Sequence, residues 1–476
     1  MRRHRFRLIV LLCALAACVG LGACAKPKVT SDLDVFQSRP ETVTPAPAAA
    51  TPVPLVDIGG TNVSSETRTL DLTRFEFIPD VLCENSRFFL NLEEIRLGNI
   101  SLADWEIDRI VEAYPNAVVR WDTSILGTVY PNDARELDLS ALTGEELEDT
   151  IAAVRRLHQV EVVDMVSESG LTLLPPESVD RLREALPQAE FRCCWELYGQ
   201  LASWKTTELR YSKEKIGNEG IDTFRDALPY LHSLELLRFY ACGIDDYDAM
   251  VALKEEFPEV NVVFSVRIAG YNFMSDTILF HCPLLRDQHT ELLKYLPDVL
   301  YLDIGHNRYI TNVDFIRYLP KLQVVILSIT KISDISALAH CPDLEYVELL
   351  NTYIEDISPL EGLEKIEYLN IGDMPFLKDI SPVFGMKSLK MVRVCMRTFN
   401  HVSREQVEEL KEALPDCFVS DYGGDPTTSG FWRFADKKHT YTERYALLRE
   451  QMLYDIPRWE DRQQNSPTRL EGDRER

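Results

Sequence analysis

Positive charge is what this 476-residue chain has least of for its size: Lys and Arg number 51 against 76 Asp and Glu, a formal net charge of −25. Nucleic-acid phosphates demand a basic patch, so a deficit this large argues against a nucleic-acid partner. Motifs for chemistry are missing as well. No G-x-S-x-G, H-E-x-x-H, Walker A or G-x-G-x-x-G sequence occurs, which removes familiar hydrolase, zinc-protease and nucleotide-binding signatures. None of the 11 cysteines stands in a C-x-x-C pair, and the nine histidines show no metal spacing. Ser328-Ile-Thr-Lys331 matches S-x-x-K, but the pattern recurs as Ser212-Lys-Glu-Lys215 and lacks its S-D-N and K-T-G companions. Asp245-Asp-Tyr-Asp248 fails the EF-hand spacing and reads as a helix N-cap. The expectation is a protein that is not an enzyme and holds no cofactor and no metal. With 45% hydrophobic and 9% aromatic residues, the chain is neither disordered nor collagen-like and can bury a large core.

The N-terminus reads as an address. Residues 1–7 carry four arginines and no acid, and residues 8–23 are apolar, ending in small residues. The run is too short for a spanning helix, which needs about 20 apolar residues, and it stops at Leu21-Gly-Ala-Cys24 before Lys26-Pro-Lys28. Leu-Gly-Ala-Cys resembles the lipobox of bacterial lipoprotein signals. The resemblance implies cleavage before Cys24, lipidation of its sulfur, and a protein held on the outer face of a bacterial membrane by its N-terminal lipid. Loss of residues 1–23 takes the net charge to −29. Residues 24–66, rich in Pro, Ala and Thr around 44–54, form a tether with too little bulk for a core.

Internal repeats decide the fold. Between about 296 and 395, Leu302, Val325, Val347, Leu369 and Val392 are equivalent, at spacings of 23, 22, 22 and 23. A unit this short cannot bury its apolar face alone, so stacked neighbours must complete the core. The L-x-x-L-x-L core, as in Leu344-Glu-Tyr-Val347-Glu-Leu349, and the downstream Asp334-Ile-Ser, Asp356-Ile-Ser and Asp379-Ile-Ser resemble leucine-rich repeats of the 22-residue type found in bacterial surface proteins such as the internalins. One departure stands out: that family's buried Asn appears only as Asn307, with Thr330, Thr352 and Met374 in its place, so the Asn ladder is expected to be incomplete.

Upstream, a longer unit recurs. Amphipathic segments end at Tyr114-Pro, Leu186-Pro and Phe257-Pro, each followed by alternating apolar residues and a glycine turn at Gly127, Gly199 and Gly270, with re-entry into repeat strands at Leu137, Leu209 and Leu279. The fold class is therefore α/β: a curved leucine-rich-repeat solenoid with a parallel concave sheet, and irregular long repeats with hairpin insertions in the N-terminal half. The expected organisation is a signal peptide (1–23), a tether (24–66), divergent long repeats (67–293), regular 22-residue repeats (294–420), a C-terminal cap (421–459) and a disordered tail (460–476).

Within L-x-x-L-x-L the third and fifth positions point outward by strand alternation. They place Tyr301, Val324, Tyr346, Tyr368 and Met391 in one row and Asp303, Ile326, Glu348, Asn370 and Arg393 in the next. Tyrosine is favoured at interfaces, so Tyr301, Asp303, Tyr346, Glu348, Tyr368, Asn370 and Arg393 form the candidate binding face. The alternative is that the tyrosines serve only their own cross-strand contacts. The resemblance implies a protein partner; a glycan or cell-wall ligand is the second reading, and an envelope enzyme the third. Setting aside Cys13, Cys18 and Cys24, the remaining cysteines are expected as buried free thiols.

Overall fold

In the computed structural model the described residues are 53–99, 101–394, 401–421, 432–436 and 438–455. The chain divides into Met1–Pro54 and Leu55–Arg476, and every element below belongs to the second unit. The signal at 1–23, Cys24, Cys395 and the tail at 460–476 lie outside the described residues.

The regular repeats build a seven-stranded sheet of Leu279–His281, Tyr301–Asp303, Val324–Ile326, Tyr346–Glu348, Tyr368–Asn370, Met391–Arg393 and Phe418–Ser420, each strand parallel to the next. Leu302, Val325, Val347, Leu369 and Val392 stand opposite one another and are fully buried. One neighbour on each side supplies what a single repeat lacks, which is why the 22-residue period appears as strand pairing.

Local chemistry sets each turn. After the strands, His306, Ile329, Asn351 and Asp373 take left-handed backbone, with φ between 51° and 65°. For β-branched Ile329 this conformation is uncommon; its N–H is held by the Leu350 carbonyl at 2.8 Å. The Asp-Ile-Ser triplets then act as Asx turns: Asp334, Asp356 and Asp379 accept the N–H of Ser336, Ser358 and Ser381 at 2.7, 2.8 and 2.8 Å. Each opens a short 3-10 turn, while Ile335, Ile357 and Ile380 go to the core.

In the N-terminal half, the helices Asp104–Ala113, Pro176–Ala185 and Tyr247–Glu256 stop at Tyr114, Leu186 and Phe257, with ψ of 62°, 63° and 68°. The proline that follows each disfavours helical backbone at the residue before it. The hairpins Val118–Ile125/Thr128–Pro131, Cys194–Leu197/Gln200–Ser203 and Asn261–Ile268/Tyr271–Met274 turn at Leu126-Gly127, Tyr198-Gly199 and Ala269-Gly270. Both residues of each turn have positive φ, as the tight hairpin turns compatible with strand twist require. These insertions interrupt the ladder, so the parallel strands of this half fall into separate sheets. Behind the second and third insertions burial nevertheless runs on, in one apolar cluster extending from Ile125 to Leu414, while Val56 to Val119 before the first form a core of their own.

The seven described cysteines carry free thiols. Burial pushes Cys242, Cys282 and Cys417 up to about 11 and Cys341 up to about 12, so little reactive thiolate forms at neutral pH. Asp246 caps its helix by accepting the Ala249 N–H at 3.0 Å, and Asp248 accepts the Tyr295 hydroxyl at 2.8 Å.

Asn307 bridges two repeats. It donates to the Cys282 and Ile304 carbonyls at 2.7 and 2.9 Å and accepts the Leu285 N–H at 2.9 Å. Thr330 and Thr352 each reach only a carbonyl of their own repeat, Leu327 at 2.7 Å and Leu349 at 2.8 Å, and Met374 is buried without a polar contact to give. The side-chain ladder is thus carried by one residue. Replacing Asn307 by Ala strands buried backbone groups and is expected to lower stability by about 1–3 kcal/mol, against about 1 kcal/mol for Thr330→Ala or Thr352→Ala; urea unfolding of the three variants checks the order.

Candidate binding face

Strand pairing sets the outward rows in the register the spacing implies. Tyr301, Val324, Tyr346, Tyr368 and Met391 lie side by side, as do Asp303, Ile326, Glu348, Asn370 and Arg393. The expectation of an open face requires correction. Asp303, Tyr346, Glu348, Asn370 and Arg393 are buried at 7, 2, 2, 0 and 0% exposure, and Tyr301 and Tyr368 are half-buried. The cover is the chain itself, the segment 432–455.

The segment's own sequence shapes it. Asp436 gathers the Lys438 and Thr440 N–H groups at 2.9 and 3.0 Å and the Thr440 hydroxyl at 2.9 Å, tightening the turn that pairs Phe434 with Tyr441. Thr442 then caps the helix Glu443–Gln451 by accepting the Tyr445 N–H at 3.2 Å. Tyr445, Leu448 and Met452 share one face by helical spacing, and together with Trp432 they bury against Leu279, Val324, Ile326, Tyr346 and Met391. The expected C-terminal cap therefore lies along the concave sheet instead of across the end of the stack, where Phe418 on the last strand stays half exposed at 51%. The physical reason is the outward row itself: Val324, Ile326 and Met391 are apolar and need cover, which Trp432, Tyr445, Leu448 and Met452 supply.

Polar contacts pin the segment at two points. Trp432 Nε1 donates to Glu348 at 2.7 Å, and the Tyr346 hydroxyl donates to the same carboxylate, with the Ser328 hydroxyl at 3.5 Å. The Trp432 and Tyr346 rings lie 5.4 Å apart, centre to centre. Arg444 sits between Tyr346 and Tyr368, its guanidinium 4.9 and 5.6 Å from the two rings, a desolvated cation–π arrangement. At the far end, Tyr454 donates to Asp303 Oδ2 at 2.7 Å, and His281 Nδ1 lies 3.1 Å from the same oxygen. Burial pushes the Tyr346 and Tyr454 hydroxyls well above their usual range, reinforced by the Glu348 and Asp303 charges. Burial also opposes ionisation of Asp303, but His281, Tyr454 and the Gly305 N–H outweigh it and hold the carboxyl below its usual value.

The sequence reading missed Trp432, Arg444, Tyr454 and His281 as members of this site. A signal was available in the contrast between the two halves. Several outward positions of the N-terminal strands carry paired charges, as Arg96 and Arg120 with Glu94 or Arg210 with Glu208, beside a small apolar patch of Leu236, Val263 and Met274, whereas Leu279, Val324, Ile326 and Met391 are apolar where solvent is the only neighbour their own strands provide. These groups offer recognition chemistry, with hydrogen-bonding carboxylates, aromatic faces and apolar surface; among the described residues no cluster of metal-binding side chains occurs.

A carboxyl held below its usual value in the folded state contributes stability above the unfolded pKa, near 3.8, and loses it as pH falls through the lower folded value. Asp303→Asn is therefore expected to destabilise the protein at pH 6 by about 1–3 kcal/mol, with the gap to the unaltered protein closing as pH falls below 4. Urea midpoints measured across that range test it.

Compared with known proteins, residues 320–362 match the family model described as leucine-rich repeats (2 copies). No curated protein matches the sequence. Among solved structures, the chain is similar to an internalin from Listeria monocytogenes at 14% identity, covering 71% of this chain and 77% of that one with a TM-score of 0.27. Internalin C2 of the same organism shares 20% identity over 53% of this chain and 86% of its own, with a TM-score of 0.27. A leucine-rich-repeat protein of Leptospira interrogans shares 12% over 75% and 96%, with a TM-score of 0.29. On its own strand register, turns and buried ladder, with the family match at 320–362, the chain is a leucine-rich-repeat solenoid.

Proposed function

We infer that this is a lipid-anchored bacterial cell-surface protein that binds another protein through its solenoid and performs no chemistry on it. A leucine-rich-repeat fold suggests protein–protein interaction in general, though fold alone does not fix function. The observation that carries the reading to this chain is that its concave sheet already receives a peptide: Glu348 takes an indole N–H from 84 residues away and Tyr346 and Tyr368 flank an arginine. A face with that chemistry is suited to a helix or loop of a protein. The glycan alternative relied on open tyrosine rings, and the Tyr346 ring is covered by Trp432. The anchor rests on the lipobox-like Leu21-Gly-Ala-Cys24 and the proline-rich stretch that follows it.

Two measurements test this reading. Cys24→Ser is expected to release the protein from the membrane fraction and abolish labelling by a radioactive fatty acid; retention of both would remove the lipid anchor. Surface cross-linking with the full chain is expected to capture a specific protein, lost in a Tyr301/Tyr346/Tyr368→Ala variant whose folding is verified by circular dichroism. Equal capture by that variant would move recognition off the concave face, and binding of sugars without any protein would favour the glycan reading.

A further inference from the structure

Resting on that reading, we propose that the concave groove is a docking site for a short partner helix of aromatic, arginine and apolar character, and that residues 432–455 occupy it as a displaceable internal ligand. The first support is that the segment is separate from the main core. Trp432, Tyr445, Leu448 and Met452 join Leu279, Val324, Ile326, Tyr346 and Met391 in an apolar cluster of their own, while Leu302, Val325, Val347, Leu369 and Val392 belong to the continuous core behind the sheet. Departure of the segment leaves that core shut. Ten residues, 422–431, join it to the last repeat, up to about 35 Å of extended chain, so release does not require the stack to unravel.

The fit itself is the second support. Among the described residues, Asn370 Nδ2 from the sheet and Arg433 Nε and Arg444 Nη2 from the segment are buried without acceptors, where native interiors leave few such groups. Asn307, behind the same sheet, meets two carbonyls and an N–H. The resident segment thus matches the groove in its aromatic and apolar contacts and in its hydrogen bonds to Glu348 and Asp303, and leaves the three donors on Asn370, Arg433 and Arg444 unmet. A competing helix that keeps the former and brings a carbonyl or carboxylate to Asn370 gains what the resident forgoes.

The groove specifies the occupant's class. Once bared, Leu279, Val324, Ile326 and Met391 would form an exposed apolar surface, which calls for an apolar helix face and not a polar ligand. Buried Glu348 accepts an indole N–H and a phenol O–H, and its charge attracts the segment's Arg433 guanidinium. Tyr346 and Tyr368 accept a guanidinium between them. A partner therefore competes with the resident segment, and its apparent affinity is reduced by the fraction of molecules that are closed.

The test uses the full chain and a fluorescein-labelled synthetic peptide of residues 432–455, read by anisotropy. A Trp432→Ala/Arg444→Ala variant, with its resident segment weakened, is expected to bind this peptide at least tenfold tighter than the unaltered chain. Adding Glu348→Gln, or using a peptide with Trp432→Ala, is expected to remove most of that gain. Equal binding by the unaltered and weakened chains, or a gain indifferent to Glu348, overturns the proposal. Should the weakened chain fold poorly, hydrogen exchange on the unaltered protein decides: amides of Glu443–Gln451 are expected to exchange at least a hundredfold faster than those of Tyr346–Glu348, and equal protection overturns displaceability. Self-association of the weakened chain that excess peptide fails to reverse assigns the groove to a second copy and overturns the partner assignment. Peptide binding without any captured cellular protein leaves the groove proposal standing and counts against the proposed function, whereas capture unaffected by the resident segment does the opposite.

Discussion

A strand of three residues with one apolar side cannot hide that side by itself, and everything else in this protein answers to that constraint. Each regular repeat presents residues such as Val347 and Leu369 to the interior, and only the next strand in register completes their burial. Turns, Asx caps and the left-handed residues at 306, 329, 351 and 373 all deliver the chain back to the same lateral position. Where a hairpin intervenes at Gly199 and Gly270 the sheet breaks but the core behind it does not, whereas at Gly127 both divide, one core ending at Val119 and the next beginning at Ile125. Hydrogen bonding is subordinate to this stacking, since the interior tolerates Thr and Met at three of four ladder positions.

The outward side obeys a different rule, because no repeat supplies a neighbour there. In the N-terminal half many outward residues are charged and satisfy one another or water, through exposed ion pairs that contribute little individually, and the apolar Leu236 and Val263 are covered by Met274 of the third hairpin. In the regular half they are tyrosines, aliphatics and two buried carboxylates, and such a surface needs a second layer. The chain provides one from its own C-terminal segment, using an indole for Glu348, a phenol for Asp303 and an arginine for the paired tyrosines. Recognition of a peptide and closure of the face are therefore the same contacts viewed from two sides.

Much of this was legible in the residues. Spacings of 22 and 23 between Leu302 and Val392 fixed the register, the X-Pro pairs at 114, 186 and 257 marked helix ends because proline excludes helical backbone before it, and X-Gly pairs marked hairpins because only left-handed turns match strand twist. The identity of the outward rows followed from alternation alone. The helix face of Tyr445, Leu448 and Met452 was equally readable, since periodicity is local.

What that helix packs against was not readable, because alternation says which way a side chain points and nothing about what arrives from 84 residues away to meet it. By itself the sequence determined the solenoid, its register, its hairpins and the composition of the outward stripe, all consequences of short-range pattern repeated along the chain. Only the tertiary structure decided that the stripe is covered, that Glu348 meets Trp432 and that Asp303 meets Tyr454. Contacts of that kind depend on where an amphipathic segment finds complementary surface once the stack exists, and that surface exists only after folding.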